Sequence, residues 1–212
     1  MPSGAPNPPK VRKRDAARTK ARIFEAAVEV FAERGFDGAR VDQIAERADV
    51  NKRMIYIYWG DKQDLYQEIL RQKVTAMHDI FATEWGSSTE NLIRYFKGTL
   101  AETELLRFFQ WEALAGIDGP LVAEADRRKS SKLKVAALKA DQDSGNLTSA
   151  ISAPYLLLVF MALASYPVAL PQNVQLVTGM SWDDPKFQAK WVETLGAVGK
   201  LLSGVDSNSD QV

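Results

Sequence analysis

The chain has 212 residues, 27 Lys plus Arg against 27 Asp plus Glu, and 46% hydrophobic residues, which suffices for a sizeable core in one or two domains. With no cysteine it has no disulfide framework, no thiolate nucleophile and no cysteine metal site. The neutral total conceals a bias: residues 1–66 hold 13 Lys plus Arg and 10 Asp plus Glu, a net of +3, and the remainder carries −3.

The chain opens on a Pro-rich, basic stretch in which Lys10, Arg12, Lys13, Arg14, Arg18, Lys20 and Arg22 face Asp15 alone. No apolar run follows, so a signal peptide is not expected here; residues 1–14 are expected to form a disordered, solvated tail. Beside a DNA-reading domain, such a tail can also act as an arm to phosphates or the minor groove. Arg22–Arg34 predicts an amphipathic helix with Ile23, Ala26, Ala27, Val30 and Phe31 on one side, stopped by Gly35.

Val41, Ile44, Ala45 and Ala48 fall on one face of a second short helix. Asp49 stands where the chain must reverse, and Asp tolerates the left-handed conformation that such a turn requires. Val50 then plugs the elbow, and Asn51 caps a third helix running to Tyr58. Met54, Ile55 and Tyr58 turn inward on that helix, while Lys52, Arg53, Tyr56 and Ile57 turn outward. Two short helices at an angle, the second presenting Lys, Arg and Tyr, are how a protein offers a helix to the major groove. Cations there release backbone counterions and bond guanine edges. Gly60 ends this helix, Asp61 with Asp64 approximates a capping box for the next, and Lys62 lies where its charge and the free N–H groups can hold a phosphate.

Downstream, helices are expected near Lys62–Trp85, Thr89–Thr99, Glu102–Gly116, Pro120–Asp143, Ser152–Tyr166 and Pro185–Leu202. No charge occurs between Asp143 and Asp183, but Pro154, Pro167 and Pro171 divide that stretch. The helix left, Pro154 to Tyr166, is shorter than the roughly 20 residues a membrane span needs. A helix apolar nearly all round must be covered on most faces, and a second subunit can supply part of that cover. The last helix keeps an apolar stripe of Phe187, Trp191, Leu195, Val198, Leu201 and Leu202.

The sequence resembles the TetR (tetracycline repressor) family of bacterial transcription regulators. The likeness rests on Arg22–Ala27, Phe31–Phe36, Val41–Ala45, Val50 and Ile55–Trp59 with Lys62 and Leu65, in order and spacing over about the first third of the chain. It implies an all-α fold in which a three-helix, helix-turn-helix domain precedes a helical ligand-binding and dimerisation domain. The corresponding limits are 15–64 for the reader, 65–204 for the helical body and 205–212 for a flexible tail. The resemblance also implies that Tyr56, Tyr58 and Lys62 touch DNA; with Arg40, Asn51, Lys52 and Arg53 they form the expected DNA-binding set. The sequence departs from the family pattern at Arg40, where a hydroxyl cap is usual, at Arg53-Met54, where a small residue and Thr are usual, and at Asp49 in place of Gly. The first two departures bear on which operator is read.

By the same resemblance the last two long helices pair with their copies in a homodimer, and the body binds a small-molecule effector. Phe81, Trp85, Phe96, Phe108, Trp111, Tyr155 and Phe160 are the aromatic candidates for its walls, although an ordinary core needs the same residues. Glu112 is expected either to point into such a pocket or to bridge to a neighbouring helix. The function expected is a cytoplasmic DNA-binding regulator, a repressor released from its operator by an effector. The alternative is a constitutive or architectural DNA-binding protein with a solid body. An enzyme is not expected: His78 is the only histidine, and Asp183-Asp184 reads as a helix start before Pro185 rather than a catalytic pair. No metal or cofactor is expected, and no membrane partner.

Overall fold

A computed structural model describes residues 10–82, 86–116 and 121–204, with side chains over 15–76, 86–116 and 121–204. The helices are α1 Lys10–Gly38, α2 Val41–Arg47, α3 Lys52–Trp59, α4 Lys62–Ala82, α5 Ser88–Ala101, α6 Thr103–Ala115, α7 Glu124–Asp143, α8 Ala153–Ala169, α9 Pro171–Thr178 and α10 Pro185–Leu201. No strand occurs among the described residues, only an isolated antiparallel bridge between Leu147 and Ser203. The chain divides into two compact units between Leu70 and Arg71.

In the first unit, α1 begins inside the segment 1–14 assigned to a tail and kinks at Gly35, whose φ of 68° suits glycine. Ile23, Ala27, Val30 and Phe31 on α1, Ile44 and Ala45 on α2, Ile55 on α3 and Leu65 and Ile69 on α4 form its core. Tyr66 packs edge-on against Phe31 and Phe36, with centroids 5.1 and 5.2 Å away.

In the second unit α8 packs against α5, α6, α7 and α9, and α10 lies along α5. Leu92, Phe96, Leu138, Leu156, Phe160 and Leu195 are its fully buried centre. Helices α5 and α10 approach closely because position 199 carries no side chain: a Cβ there would stand 2.5 Å from the Thr89 Cα. The C-terminal end of α10 is tied down where Thr148 N–H donates to the Leu202 carbonyl at 2.8 Å.

Two expectations about the uncharged stretch need correction. Helix α8 continues through Pro167 to Ala169 instead of ending at Tyr166, and α9 is a helix the sequence reading left out. Pro167 is buried inside α8 and, lacking an N–H, forfeits the one helix bond to the Leu163 carbonyl; the helix ends two residues later at Ala169. Pro171 at the first position of α9 needs no N–H there and so starts the new helix. No single helix is long and apolar enough to cross a membrane; α8 and α9 together reach the required length, but with an 81° bend between them.

Candidate DNA-binding interface and effector site

The turn between α2 and α3 is built by local chemistry. Asp49 takes φ 49°, the left-handed conformation, and Val50 N–H reaches back to the Ala45 carbonyl at 3.0 Å. Asn51 caps α3, its side chain accepting from Arg53 N–H at 2.9 Å. At the start of α2, Arg40 N–H donates to Gln43 Oε1 at 3.1 Å. A guanidinium cannot accept the reciprocal bond, so only half a capping box forms there. The box before α4 is complete: Asp61 N–H donates to Asp64 Oδ2 at 3.1 Å and Asp64 N–H to Asp61 Oδ1 at 2.9 Å.

Helix α3 buries Ile55, half-buries Met54 and Tyr58, and exposes Lys52, Arg53, Tyr56 and Ile57. Several cations around it are already occupied. Lys52 pairs with Asp42 on α2 at 2.8 Å, which raises the lysine's pKa and lowers that of the carboxyl. Arg47 forks onto Glu33 at 2.8 and 3.1 Å and lies 3.4 Å from Glu29, clamping α2 to α1. Among the described residues no carboxylate lies within ion-pairing distance of Arg40 or Arg53, and both are exposed. Both are available to meet a phosphate or a base edge.

Lys62 does not stand free at the surface. Its ammonium donates to the carbonyls of Phe36 at 2.9 Å and Ala39 at 3.2 Å and sits 4.3 Å from the centroid of the Phe36 ring. Of its three N–H donors, one is left for a phosphate, so Lys62 first braces the start of α4 against the end of α1.

Sequence reasoning missed Arg22, which it counted in the basic arm. The Arg22 guanidinium donates to the carbonyl of Ala48, to that of Asp49 at 2.7 Å and to Asp49 Oδ2 at 3.0 Å. It thereby braces the left-handed turn that sets α3. No periodicity signals a contact between residues so far apart in sequence. Lys20, 4.3 Å over the Trp59 ring, is similarly turned inward from the basic run.

None of the aromatic candidates within the described residues lines the cavity between α5, α6, α7 and α8. Phe96, Phe108 and Phe160 are fully buried core residues, Trp111 is 36% exposed and Tyr155 is 68% exposed. The side chains of Phe81, Trp85 and His78 lie outside the described residues. Glu112 receives a two-pronged bond from Arg127 at 3.1 and 2.8 Å, a bridge from α6 to α7. The second unit does hold a cavity of about 120 Å³, between α5, α6, α7 and α8, walled in part by Tyr95, Leu106, Phe109, Lys134, Met161 and Ser165. A signal for it existed: Lys134 stands one turn from each of Ser130 and Leu138, two buried positions on the same face of α7. Burial lowers the Lys134 ammonium to about 8 and pushes the Tyr95 phenol up.

Comparison with known proteins agrees with this geometry. Residues 23–69 match the family model of bacterial regulatory proteins, tetR family, and residues 91–194 match that of the tetracyclin repressor-like C-terminal domain. The HTH-type transcriptional repressor SCO4008 of Streptomyces coelicolor is 38% identical over 166 residues, 78% of this chain and 86% of that protein. The HTH-type transcriptional regulator RutR of Escherichia coli K12 is 28% identical over 215 residues, 97% of this chain and 99% of its own length. Among solved structures, transcriptional regulator SCO4942 from Streptomyces coelicolor superposes with a TM-score of 0.69 at 24% identity, covering 85% of this chain and 97% of that one.

Proposed function

The chain belongs to the TetR family of bacterial regulatory proteins and is a helix-turn-helix DNA-binding transcription regulator, and on that premise we propose that it is a cytoplasmic, homodimeric repressor released from its operator by a small molecule. The observation that carries this reading is α3 itself. Capped by Asn51 and set by the left-handed turn at Asp49, it turns Arg53, Tyr56 and Ile57 outward on a buried base of Ile55. Arg53 reads base edges, Arg40 and the remaining Lys62 donor meet phosphates, and Tyr56 and Tyr58 extend the contact. One such helix reads only a few base pairs. Two copies related by a two-fold axis read half-sites roughly 34–36 Å apart.

Helix α8 supports the dimer. Its buried face carries Leu156, Leu157, Phe160 and Ala164, while Tyr155, Leu158, Val159, Met161 and Tyr166 are exposed, with Leu201 exposed on α10. A second copy of α8 and α10 covers those apolar groups. The cavity in the second unit favours an effector-released repressor over a constitutive DNA-binding protein with a solid body. Ligand and operator then weaken each other's binding reciprocally.

The test is binding of the purified protein to DNA fragments from around its own gene across a salt series, with Lys62→Ala and Tyr58→Phe alongside. Specific binding by a dimer that weakens steeply with salt is expected. Salt-sensitive binding with no sequence preference defeats the repressor reading. Because Lys62 also bonds two carbonyls, the Lys62→Ala result is read beside its unfolding curve.

A further inference from the structure

We propose that the outward face of α9, centred on Leu176 and Val177, docks against a second copy of this chain, making α9 a third element of the homodimer contact beside α8 and α10. This rests on the homodimer reading and goes beyond it, because that reading draws on α8 and α10 alone.

Helix α9 is fixed in place by its own subunit. Val174 is its buried residue, and Asn173, Leu176 and Val177 stand at i, i+3 and i+4 on its exposed side. Gln110 Nε2 donates to the Ala169 carbonyl at 3.0 Å just before the helix, Pro171 starts it without needing an N–H, and Gly179 ends it in the left-handed conformation at φ 71°. A braced helix therefore holds Leu176 and Val177 in water, 82% and 84% exposed against 68% for Tyr155 on α8. Apolar side chains presented on a fixed element lose little freedom on docking.

The pair is continuous with the exposed apolar groups of α8. Asn173 Nδ2 donates to the Tyr166 hydroxyl at 3.1 Å, and Leu170, also exposed, lies between the two helices. Exposed apolar surface thus passes from Tyr166 through Leu170 to Leu176 and Val177. With an 81° bend between them, α9 does not lengthen the α8 stripe but adds a second direction to it.

Charge selects the occupant. No Asp, Glu, Lys or Arg occurs from Ser144 to Trp182, although α8 and α9 both expose a face there. Depletion of charge is the compositional signal of an interface centre. In a two-fold contact each face meets its own copy, so a charge near the axis would meet its like, and an uncharged face avoids that repulsion. A membrane surface is a poorer occupant. Helices that lie on membranes carry Lys and Arg on the polar face, whereas the exposed polar residues of α9 include Gln172, Asn173 and Gln175. Asp141 and Asp143 before the uncharged stretch and Asp183 and Asp184 after it are repelled by an anionic surface. A stable dimer draws on about 20–30 residues a side. Among the described residues, Leu201 is the large apolar side chain that α10 exposes, so α9 widens the apolar centre of the contact.

The experiment is sedimentation equilibrium of the full-length protein and of Leu176→Asp and Val177→Asp. Each variant is expected to raise the dimer dissociation constant at least about tenfold, since docking would bury an unpaired carboxylate. Leu133→Asp on α7, equally open to water, should leave it unchanged. In the parent, amide hydrogen exchange over residues 171–178 should slow as concentration rises through the dissociation constant, a readout that needs no variant. Both α9 variants associating like the parent while Tyr155→Asp does not overturns this inference and keeps the homodimer through α8. A parent that stays monomeric overturns the homodimer reading and this inference with it. Equal weakening by Leu133→Asp, or exchange in α9 indifferent to concentration, also overturns it. Flotation with mixed phosphatidylcholine and phosphatidylglycerol vesicles tests the other occupant: vesicle binding lost in Leu176→Asp with self-association unchanged assigns the face to a membrane instead.

Discussion

The two units leave different things unsatisfied at their surfaces. In the first, Arg22, Arg47, Lys52 and Lys62 are each engaged by a carboxylate or a carbonyl of the same unit, and Arg40 and Arg53 are among the exposed cations available to an external anion. In the second, the remainder is apolar: Tyr155 and Leu158 are 68% and 60% exposed on α8, and Leu201 is 82% exposed on α10. A basic composition alone would suggest that every cation of the reader touches DNA. The geometry teaches instead that several of them hold the reading helix in place, while the body leaves apolar side chains exposed on α8 and α10.

The largest effect tests the body within one helix. Phe160→Ala opens the core of the second unit and should cost about 3–5 kcal/mol of unfolding free energy. Tyr155→Ala, on the opposite side of α8, should leave the stability of the isolated subunit nearly unchanged and weaken self-association. Denaturant unfolding and sedimentation equilibrium read the two quantities separately. A Tyr155→Ala protein that dimerises like the parent breaks the comparison, because the exposed face would then have no copy to cover.

The next effect tests the reader. Arg53→Ala should cost about 1–3 kcal/mol of operator affinity and relax the preference at one base pair. Arg40→Ala should weaken all sequences alike and reduce the salt slope by about one. The comparison fails if alanine at Lys52, which Asp42 already occupies, is as damaging as alanine at Arg53. Fluorescence anisotropy with operator and single-base variants distinguishes these outcomes.

The same contrast explains what could be read from the sequence. The helix-turn-helix was legible because its signals are local: Asp49 for a left-handed turn, Asn51 as a cap, Asp61 with Asp64 as a box, and Ile44 and Ile55 at helical spacing. Position along α3 even separated Ile55 from Tyr56 and Ile57. The roles of Arg22 and Lys62 were not legible, since each is decided by carbonyls more than twenty residues away, and a side chain's charge says nothing about its partner. In the body, aromatic type alone does not separate core from cavity wall. Phe96 and Phe160 are core, whereas the cavity is assembled from Tyr95, Phe109, Lys134 and Met161 on four different helices. Which faces of those helices meet is tertiary information, and α8 is apolar on so many sides that its pattern does not choose one.

Smaller effects probe how firmly the reader is set. Asn51→Ala removes the α3 cap and should cost about 1 kcal/mol. Asp49→Ala should cost about 1–2 kcal/mol, because alanine keeps the left-handed strain and loses a bond from Arg22. Asp49→Gly relieves that strain and should fall closer to the parent. Thermal unfolding ranks the three, and a glycine variant less stable than the alanine variant would show that the Arg22 bond outweighs the backbone.

The smallest effect concerns the one cation of the body whose pKa is well below its ordinary value. Burial lowers the Lys134 ammonium from 10.5 to about 8, with Glu102 and Tyr95 lining the same cavity. Below pH 8 the lysine is charged in both folded and unfolded chains, and the folded protein bears the whole cost of holding that charge out of water. Between about pH 8 and 10.5 the folded protein has lost the proton while the unfolded chain retains it, so the cost fades as pH rises. Lys134→Met should therefore stabilise the protein at pH 7 by roughly 1 kcal/mol, after allowance for partial exposure, and lose that advantage progressively towards pH 10.5. Unfolding curves of the two proteins across this range check the sign. A gap that widens with pH would mean that the folded state favours the charged lysine, against the direction that burial imposes.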